Sequence, residues 1–401
     1  MIQWKKHTRG VRGTVIETLR LKHFRNYPEL TLSPHPGLNL LFGPNGAGKT
    51  NILEAIHYCA LGKSHRAGSD REVVEREEDA GACAVTVRGT MGRSEIMVRL
   101  TPGEPRKKTV WIDRKKAERL ADLMGHVRCV IFSPEDLSLV REGPSQRRRY
   151  LDMMICQLDP MYFMALQRYA RAMEERGALL REARKQEAAS LPDALLAPYE
   201  AIMAAESRSI IARRRQAMAR LAPLAAEKYG AIAGDGGEQF RVDYSPNVAE
   251  EEDLARTLRE HRWVDMNRGA ATHGPHREDL ALSLNGREMK LYASQGQVRT
   301  AALALKLAQL LLFREETGEM PVLLLDDVMS ELDMRRRTRL LGEIGDAQTF
   351  VTCTDESDLE GFRDCRTCHV TLTEDRRARL EETRPGPPVP DAPAAEEPDF
   401  S

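Results

Sequence analysis

The segment Gly43-Pro44-Asn45-Gly46-Ala47-Gly48-Lys49-Thr50 limits what this chain can fold into more than any other stretch. It matches G-x-x-x-x-G-K-[ST] at every fixed position. An apolar run, Leu38 to Phe42, precedes it and reads as a buried strand. Behind it, Ile52, Leu53, Ile56 and Cys59 recur at helical spacing through Asn51 to Leu61. Strand, glycine turn and helix therefore follow in the order a phosphate-binding loop requires. Gly43, Gly46 and Gly48 let the backbone curl with its N–H groups inward, at angles a side chain would forbid. Those donors and the positive end of the helix cradle a polyphosphate. Lys49 adds a charge for the β- and γ-phosphates, and the Thr50 hydroxyl is a ligand for Mg²⁺. A chance glycine loop is the alternative, and the flanking elements argue against it.

Two further segments belong to the same chemistry. Val322 to Leu325 is fully apolar and ends in Asp326 and Asp327. Burying an unpaired carboxylate is costly, so such an ending needs a reason. Mg²⁺ beside Asp326 supplies one, and Asp327 can orient or deprotonate an attacking water. A helix-cap pair at a strand end is the other reading. Ser294-Gln295-Gly296-Gln297 directly precedes a helix expected from Val298 or Arg299. A hydroxyl, a glycine and a helix N-terminus make a second anion site. One phosphate site needs one P-loop, so a second anion site this far along suggests another molecule's nucleotide. An ordinary helix cap competes with that reading.

The rest of the chain divides by pattern. Strands are expected at Val15 to Leu21, at Cys83 to Val87 and Ile96 to Leu100 around the turn Met91-Gly92, and at Val127 to Phe132. From Ser145 to about Lys228 Ala, Leu, Met, Arg and Glu dominate. Three or four helices follow, including Met161 to Glu187 and Tyr199 to Leu221, with Pro160, Pro192, Pro198 and Pro223 as breakers. No heptad pattern is long enough for a long coiled coil. Gly230 to Gly237 reads as a linker, Phe240 to Tyr244 as a strand and Asp253 to Arg268 as a helix. Leu280 to Leu284 and Glu288 to Tyr292 form a hairpin on Asn285-Gly286. Thr300 to Phe313 is a helix; Gln348 to Cys353 and Thr367 to Leu372 are strands. From Arg384 the Pro-, Ala- and Glu-rich tail is expected to be disordered.

Composition excludes several classes. The longest apolar runs fall far short of the ~20 residues a membrane helix needs. No apolar stretch follows the basic N-terminus, so no secretory signal is read. Seven scattered cysteines point to reduced thiols. Cys365, Cys368 and His369 have the spacing of a haem-attachment motif, which we read as accidental in a chain without an export signal. The formal net charge is −1, so any nucleic acid must be met by local basic patches.

In their order the motifs resemble the ABC ATPases, and Gly48 to Ile56 is similar to the P-loop helix of the SMC-like branch. More specifically, the chain resembles the RecF family of recombinational DNA repair proteins. The matching segments are Leu21 to Tyr27, the P-loop, Lys63 to Arg66, Phe132 to Leu137, Gly143-Pro144 with Arg147 to Asp152, His273 to Leu280, Ser294 to Arg299, Asp326 to Asp333, and Val351 to Asp355. Two features depart from the wider ABC pattern: no glutamine-loop residue is evident near Pro134, and Thr354 stands in place of the switch histidine.

The resemblance implies an α/β fold, an ABC-type P-loop ATPase head with a helical arm inserted in the chain. Its expected parts are an extension (1–13), a first ATPase lobe (14–133), the arm (134–270), a lobe with signature and Walker B (271–372) and a tail (373–401). It also implies a head-to-tail dimer with two ATPs between subunits, in the cytoplasm. Lys49, Asp326 and Asp327 would be catalytic, the P-loop from Gly43 to Thr50 would hold ATP, and Thr50 and Asp326 would hold Mg²⁺. Ser294 and Gly296 of the partner subunit, with Gln297 beside them, would cap the γ-phosphate. Ser330 to Asp333 resembles the loop that communicates across such a dimer. The family role is slow, DNA-stimulated ATP hydrolysis on gapped or single-strand/duplex DNA, helping RecR and RecO load the RecA recombinase. Arg147, Arg148, Arg149, Lys63 and Arg66 are candidates for DNA contact. Rival readings are an ABC transporter ATPase, a DNA-binding module with a vestigial nucleotide site, and a nuclease-linked SMC-like ATPase, though no extra carboxylate cluster is seen for the last.

Overall fold

A computed structural model describes residues 13–90, 92–104, 107–187, 191–234, 237–248, 253–329, 332, 334–355 and 365–386. The chain separates into two units: Met1–Asp136 with Ala231–Ala233 and Lys306–Ser401, and Leu137–Gly230 with Gly234–Leu305.

The first unit contains two six-stranded sheets. One is antiparallel, in the order β2 (Tyr27–Leu32), β1 (Val15–Phe24), β4 (Gly81–Gly89), β5 (Gly92–Leu100), β6 (Lys108–Ile112) and β7 (Lys115–Lys116). The other runs β15 (Ala378–Arg384), β14 (Cys365–Leu372), β3 (Leu38–Phe42), β13 (Thr349–Cys353), β12 (Val322–Leu325), β8 (Cys129–Phe132). All neighbours in this sheet are parallel except β15 on β14. Every residue of β8, β12 and β13 is buried, as in a parallel sheet covered on both faces. Helices α1 (Lys49–Leu61) and α10 (Met334–Ile344) are the described α-helices lying wholly in this unit.

The sheet order has a consequence for chemistry. β13 lies between β3, which feeds the glycine loop, and β12, which ends at the two aspartates. The carboxyl ends of these parallel strands share one edge, the edge where such sheets bind ligands.

The second unit is mainly helical. It holds α2 (Ser138–Arg141), α3 (Pro144–Leu158), α4 (Pro160–Lys185), most of α5 (Asp193–Ala233), α6 (Leu254–Glu260), α7 (Arg262–Arg268) and α8 (Met289–Tyr292). A small sheet joins β9 (Phe240–Ser245), β10 (Asp279–Leu284) and β11 (Arg287–Glu288). Asp159 caps α4 by accepting from the N–H groups of Met161 and Tyr162, with Pro160 at the first helical position. Two arginines organise the interior. Arg176, 1% exposed, pairs with Glu200 and Asp265. Arg214 pairs with Asp152 and Glu278 and donates to the Pro275 carbonyl. The units meet in sequence within α9 (Gln295–Thr317), between Leu305 and Lys306.

Several expectations are corrected here. The second unit continues to Leu305 instead of ending at 270, because β10 pairs with β9 and Arg147 on α3 pairs with Asp279. α5 passes through Pro198 and Pro223, both expected breakers. Each proline removes one backbone donor, but burial of Leu196, Met203, Ile210, Leu221, Ala225 and Tyr229 continues across them and outweighs that loss. The same helix reaches Ala233, inside the expected linker; 235 and 236 lie outside the described residues. The expected helix Asp253 to Arg268 is broken at His261. Asn285 and Gly286 form the tight turn with positive φ at both positions, but β11 is only two residues long before α8 begins, which buries Met289. Finally, the expected tail contributes β15, an edge strand reaching Arg384; its exposed, charged residues hid it.

All seven cysteines are buried, and none forms a disulfide. Cys365 and Cys368 lie three apart on β14 and so point to opposite faces, while the His369 ring stacks on Phe42 at 4.6 Å. All three side chains are thus engaged in packing within the sheet. Among the described residues no helix is long and apolar enough to cross a membrane.

Candidate functional site

The glycine loop begins where β3 ends. Gly43 has φ 145°, and a Cβ there would lie 2.1 Å from the Val370 carbonyl oxygen on β14. Gly48 has φ 116°, and a Cβ would meet Asn26 Oδ1 at 2.8 Å. Both positions therefore demand glycine. Gly48 is the N-cap of α1 without a side-chain cap, and the first turn holds no acidic residue, so its N–H groups suit an anion. Lys49 Nζ donates to the carbonyls of Gly43 at 2.6 Å and Pro44 at 2.9 Å. Burial pulls the Lys49 pKa down, opposed by the nearby Asp327, Cys353 and Asp326.

A second set of contacts supports the loop. Asn26 Nδ2 donates to the Ala47 carbonyl at 3.1 Å, Asn51 donates to Asn26 Oδ1 at 2.7 Å, and Tyr27 donates to the Gly48 carbonyl at 3.2 Å. The Ala378 N–H, at the start of β15, donates to the Asn26 carbonyl at 2.7 Å. Sequence reasoning left Asn26 and Ala378 out of the site.

At the end of β12 the Thr50 hydroxyl donates to Asp326 Oδ1 at 2.7 Å. The Thr352 hydroxyl on β13 donates to the same oxygen at 2.8 Å and accepts the Asp327 N–H at 2.9 Å. Asp327 takes a left-handed conformation, φ 52°. Burial raises the Asp326 pKa, and the hydrogen bonds from Thr50 and Thr352 oppose that rise. A hydroxyl and a carboxylate converging at the end of a strand are hard oxygen donors, the set that suits Mg²⁺. Thr50 and Asp326 would hold the ion, which when bound neutralises charge on the β- and γ-phosphate oxygens.

Beneath the loop, Glu54 of α1 is fully buried. It accepts from Arg25 Nε at 2.8 Å, Arg25 Nη2 at 2.7 Å, Arg66 Nη2 at 2.9 Å and the Ser64 hydroxyl at 2.5 Å. Burial works against its charge, but the Arg25 and Arg66 hydrogen bonds win and bring the carboxyl down to about 2. Near Pro134, Asp136 pairs with Lys306 at 2.7 Å.

In the second unit α9 starts at Gln295, earlier than expected. The Ser294 N–H donates to Gln297 Oε1 at 2.8 Å, and the Gln297 N–H donates to Ser294 Oγ at 3.3 Å, a reciprocal capping box. The ordinary-cap reading therefore describes what Ser294 does within one chain. Ser294 and Gln295 are exposed, Gly296 and Gln297 are half-buried, and Gln297 Nε2 also donates to Glu238 at 2.6 Å. Leu291 and Tyr292, just before them, are 66% and 68% exposed.

The model of the RecF/RecN/SMC N terminal domain matches residues 15–377. The DNA replication and repair protein RecF of Acetivibrio thermocellus is 39% identical over 354 residues, covering 86% of this chain and 94% of that protein. The protein of the same name from Heliobacterium modesticaldum is 40% identical over 348 residues, covering 84% and 92%. The chain belongs to the RecF family.

A solved structure of the recombination mediator RecF with ATP, in the RecFOR pathway, is similar to this RecF-family chain with TM-score 0.84 and 31% identity, covering 94% of this chain and all of that one. An Smc head from Pyrococcus furiosus shares the fold, with TM-score 0.54 and 16% identity over 92% and 96%. The chain is thus a RecF-family protein with an ATP-binding head of the ABC type. In it Lys49, Thr50, Asp326 and Asp327 come together in the first unit, while Ser294, Gly296 and Gln297 stand on the second. Of the loop resembling a dimer communicator, Ser330, Glu331 and Asp333 lie outside the described residues. Two expected DNA contacts are redirected: Arg147 is buried against Asp279, and Arg148 donates to the Glu278 carbonyl.

Proposed function

We propose that this chain is an ATP-driven dimer of recombinational repair. It hydrolyses ATP slowly and holds gapped or single-strand/duplex DNA for RecR- and RecO-assisted loading of RecA. One observation carries this reading: a glycine loop at the start of α1, with Thr50 bonded to Asp326, coexists with an exposed Ser294 at the start of α9. Ser294 and Gly296 of the partner subunit would cap the γ-phosphate bound at Lys49. The exposed Leu291 and Tyr292, adjoining Ser294 in sequence, would extend the same contact to a second copy of the chain.

Lys49 would hold the β- and γ-phosphates, Asp327 would take a proton from the attacking water or orient it, and Thr50 and Asp326 would hold Mg²⁺. The γ-phosphate is the part of the nucleotide both subunits would grip, so dimer stability would come with ATP and go with hydrolysis. The intact Thr50–Asp326 pair argues against a vestigial nucleotide site.

The test is molecular mass by analytical ultracentrifugation with Mg²⁺, ATP and gapped DNA added in turn. A shift from monomer to dimer with ATP, lost in Lys49→Ala, is expected. A monomer under saturating conditions rules the reading out.

A further inference from the structure

We infer that Thr352 is a positioning residue for ATP hydrolysis, coupling the metal-side carboxylate Asp326 to the backbone of Asp327 through one hydroxyl oxygen. This rests on the reading of Asp326 and Asp327 given above and adds a residue to their site.

A hydroxyl has one proton to donate and lone pairs to accept. In Thr352 the proton goes to Asp326 Oδ1 at 2.8 Å, and a lone pair receives the Asp327 N–H at 2.9 Å. Thr352 is 1% exposed, so solvent does not readily replace either bond. Asp327 stands at φ 52°, a region unfavourable for a non-glycine residue, which persists where surrounding contacts enforce it. The Asp327 N–H bond to Thr352 is such a contact. It turns the chain just after Asp326, so that adjacent carboxylates serve different tasks.

The sheet explains why this hydroxyl is available. β13 lies between β3 and β12, and Leu325 pairs with Val351, which places Thr352 level with Asp326. Thr354, in the position of the switch histidine, is exposed. The residue joined to the aspartates is thus two positions earlier than the wider ABC pattern suggests.

The experiment compares full-length Thr352→Val, Thr352→Ser and Asp327→Asn with wild type, with DNA present. Binding of a fluorescent ATP analogue, its Mg²⁺ dependence, ATP turnover and the melting temperature are measured. Thr352→Val is expected to bind nucleotide within about twofold of wild type, to need about threefold more Mg²⁺ for half-saturation, and to lose about tenfold in kcat, the scale of one lost positioning hydrogen bond. Thr352→Ser keeps the hydroxyl and should recover turnover to within about threefold of wild type.

Wild-type turnover and Mg²⁺ dependence in Thr352→Val overturn the inference. A serine variant as defective as the valine variant overturns it too, as does nucleotide affinity falling in step with kcat. If Thr352→Val melts early, Thr352→Ser decides alone: turnover depressed tenfold there counts against the inference. Loss of turnover in Asp327→Asn beside a normal Thr352→Val removes Thr352 only, whereas normal turnover in Asp327→Asn removes the underlying assignment as well.

Discussion

Glu54 shows what one buried carboxylate demands of its neighbours. Its side chain has no exposed surface and would be costly to keep charged, yet two guanidinium groups and a hydroxyl hold it as an anion. Its carboxyl sits at about 2 in the folded chain, against an ordinary value of 4.5. The folded pKa is the lower one, so its stabilising contribution is complete above 4.5 and disappears as pH falls through about 2. That shift is worth on the order of 3 kcal/mol. Glu54→Gln should lower the unfolding free energy at neutral pH by about 2–4 kcal/mol and flatten the acid limb of a stability–pH curve. Urea unfolding across the acid range checks it; parallel curves for the two proteins would assign the acid limb to other carboxylates. Arg66 thereby has a structural partner beneath the P-loop, where sequence alone had offered it to DNA.

Among the elements, α9 carries the clearest prediction. Ser294 is exposed at its start, and if the partner's Ser294 caps the γ-phosphate as proposed, a large cation in its place would obstruct the second copy. Ser294→Arg should bind ATP normally but fail to dimerise, read by sedimentation with ATP; a variant that still dimerises would discard capping by the partner. Elements defined by a strong local pattern were legible beforehand: β3 with its glycine loop and α1, the apolar β12 with its two aspartates, and the turn at Asn285-Gly286. What escaped depends on distant neighbours. β15 looks like solvated chain until β14 is placed beside it, and α5 looks interrupted by proline until its buried face is seen on both sides. In the site, Lys49, Thr50 and the aspartates announced themselves by motif. Thr352 and Asn26 did not, because their importance comes from β13 entering between two strands remote in sequence and from a loop returning to Ala47.

At the level of the whole molecule, a formal net charge of −1 means that affinity for DNA has to come from local basic surface. Since Arg147 and Arg148 are engaged within the arm, fewer of the originally proposed cations remain to face phosphate. If about four phosphates are neutralised, the slope of log affinity against log salt should be about −4, measured by fluorescence anisotropy with ATP present. A flat salt response would point away from a phosphate-gripping groove. The burial of all seven thiols has a practical corollary: an alkylating dye should find no ready native point of attachment on the folded protein. A single cysteine introduced as Tyr292→Cys would then carry a fluorophore at a known address, and its emission could follow assembly in real time.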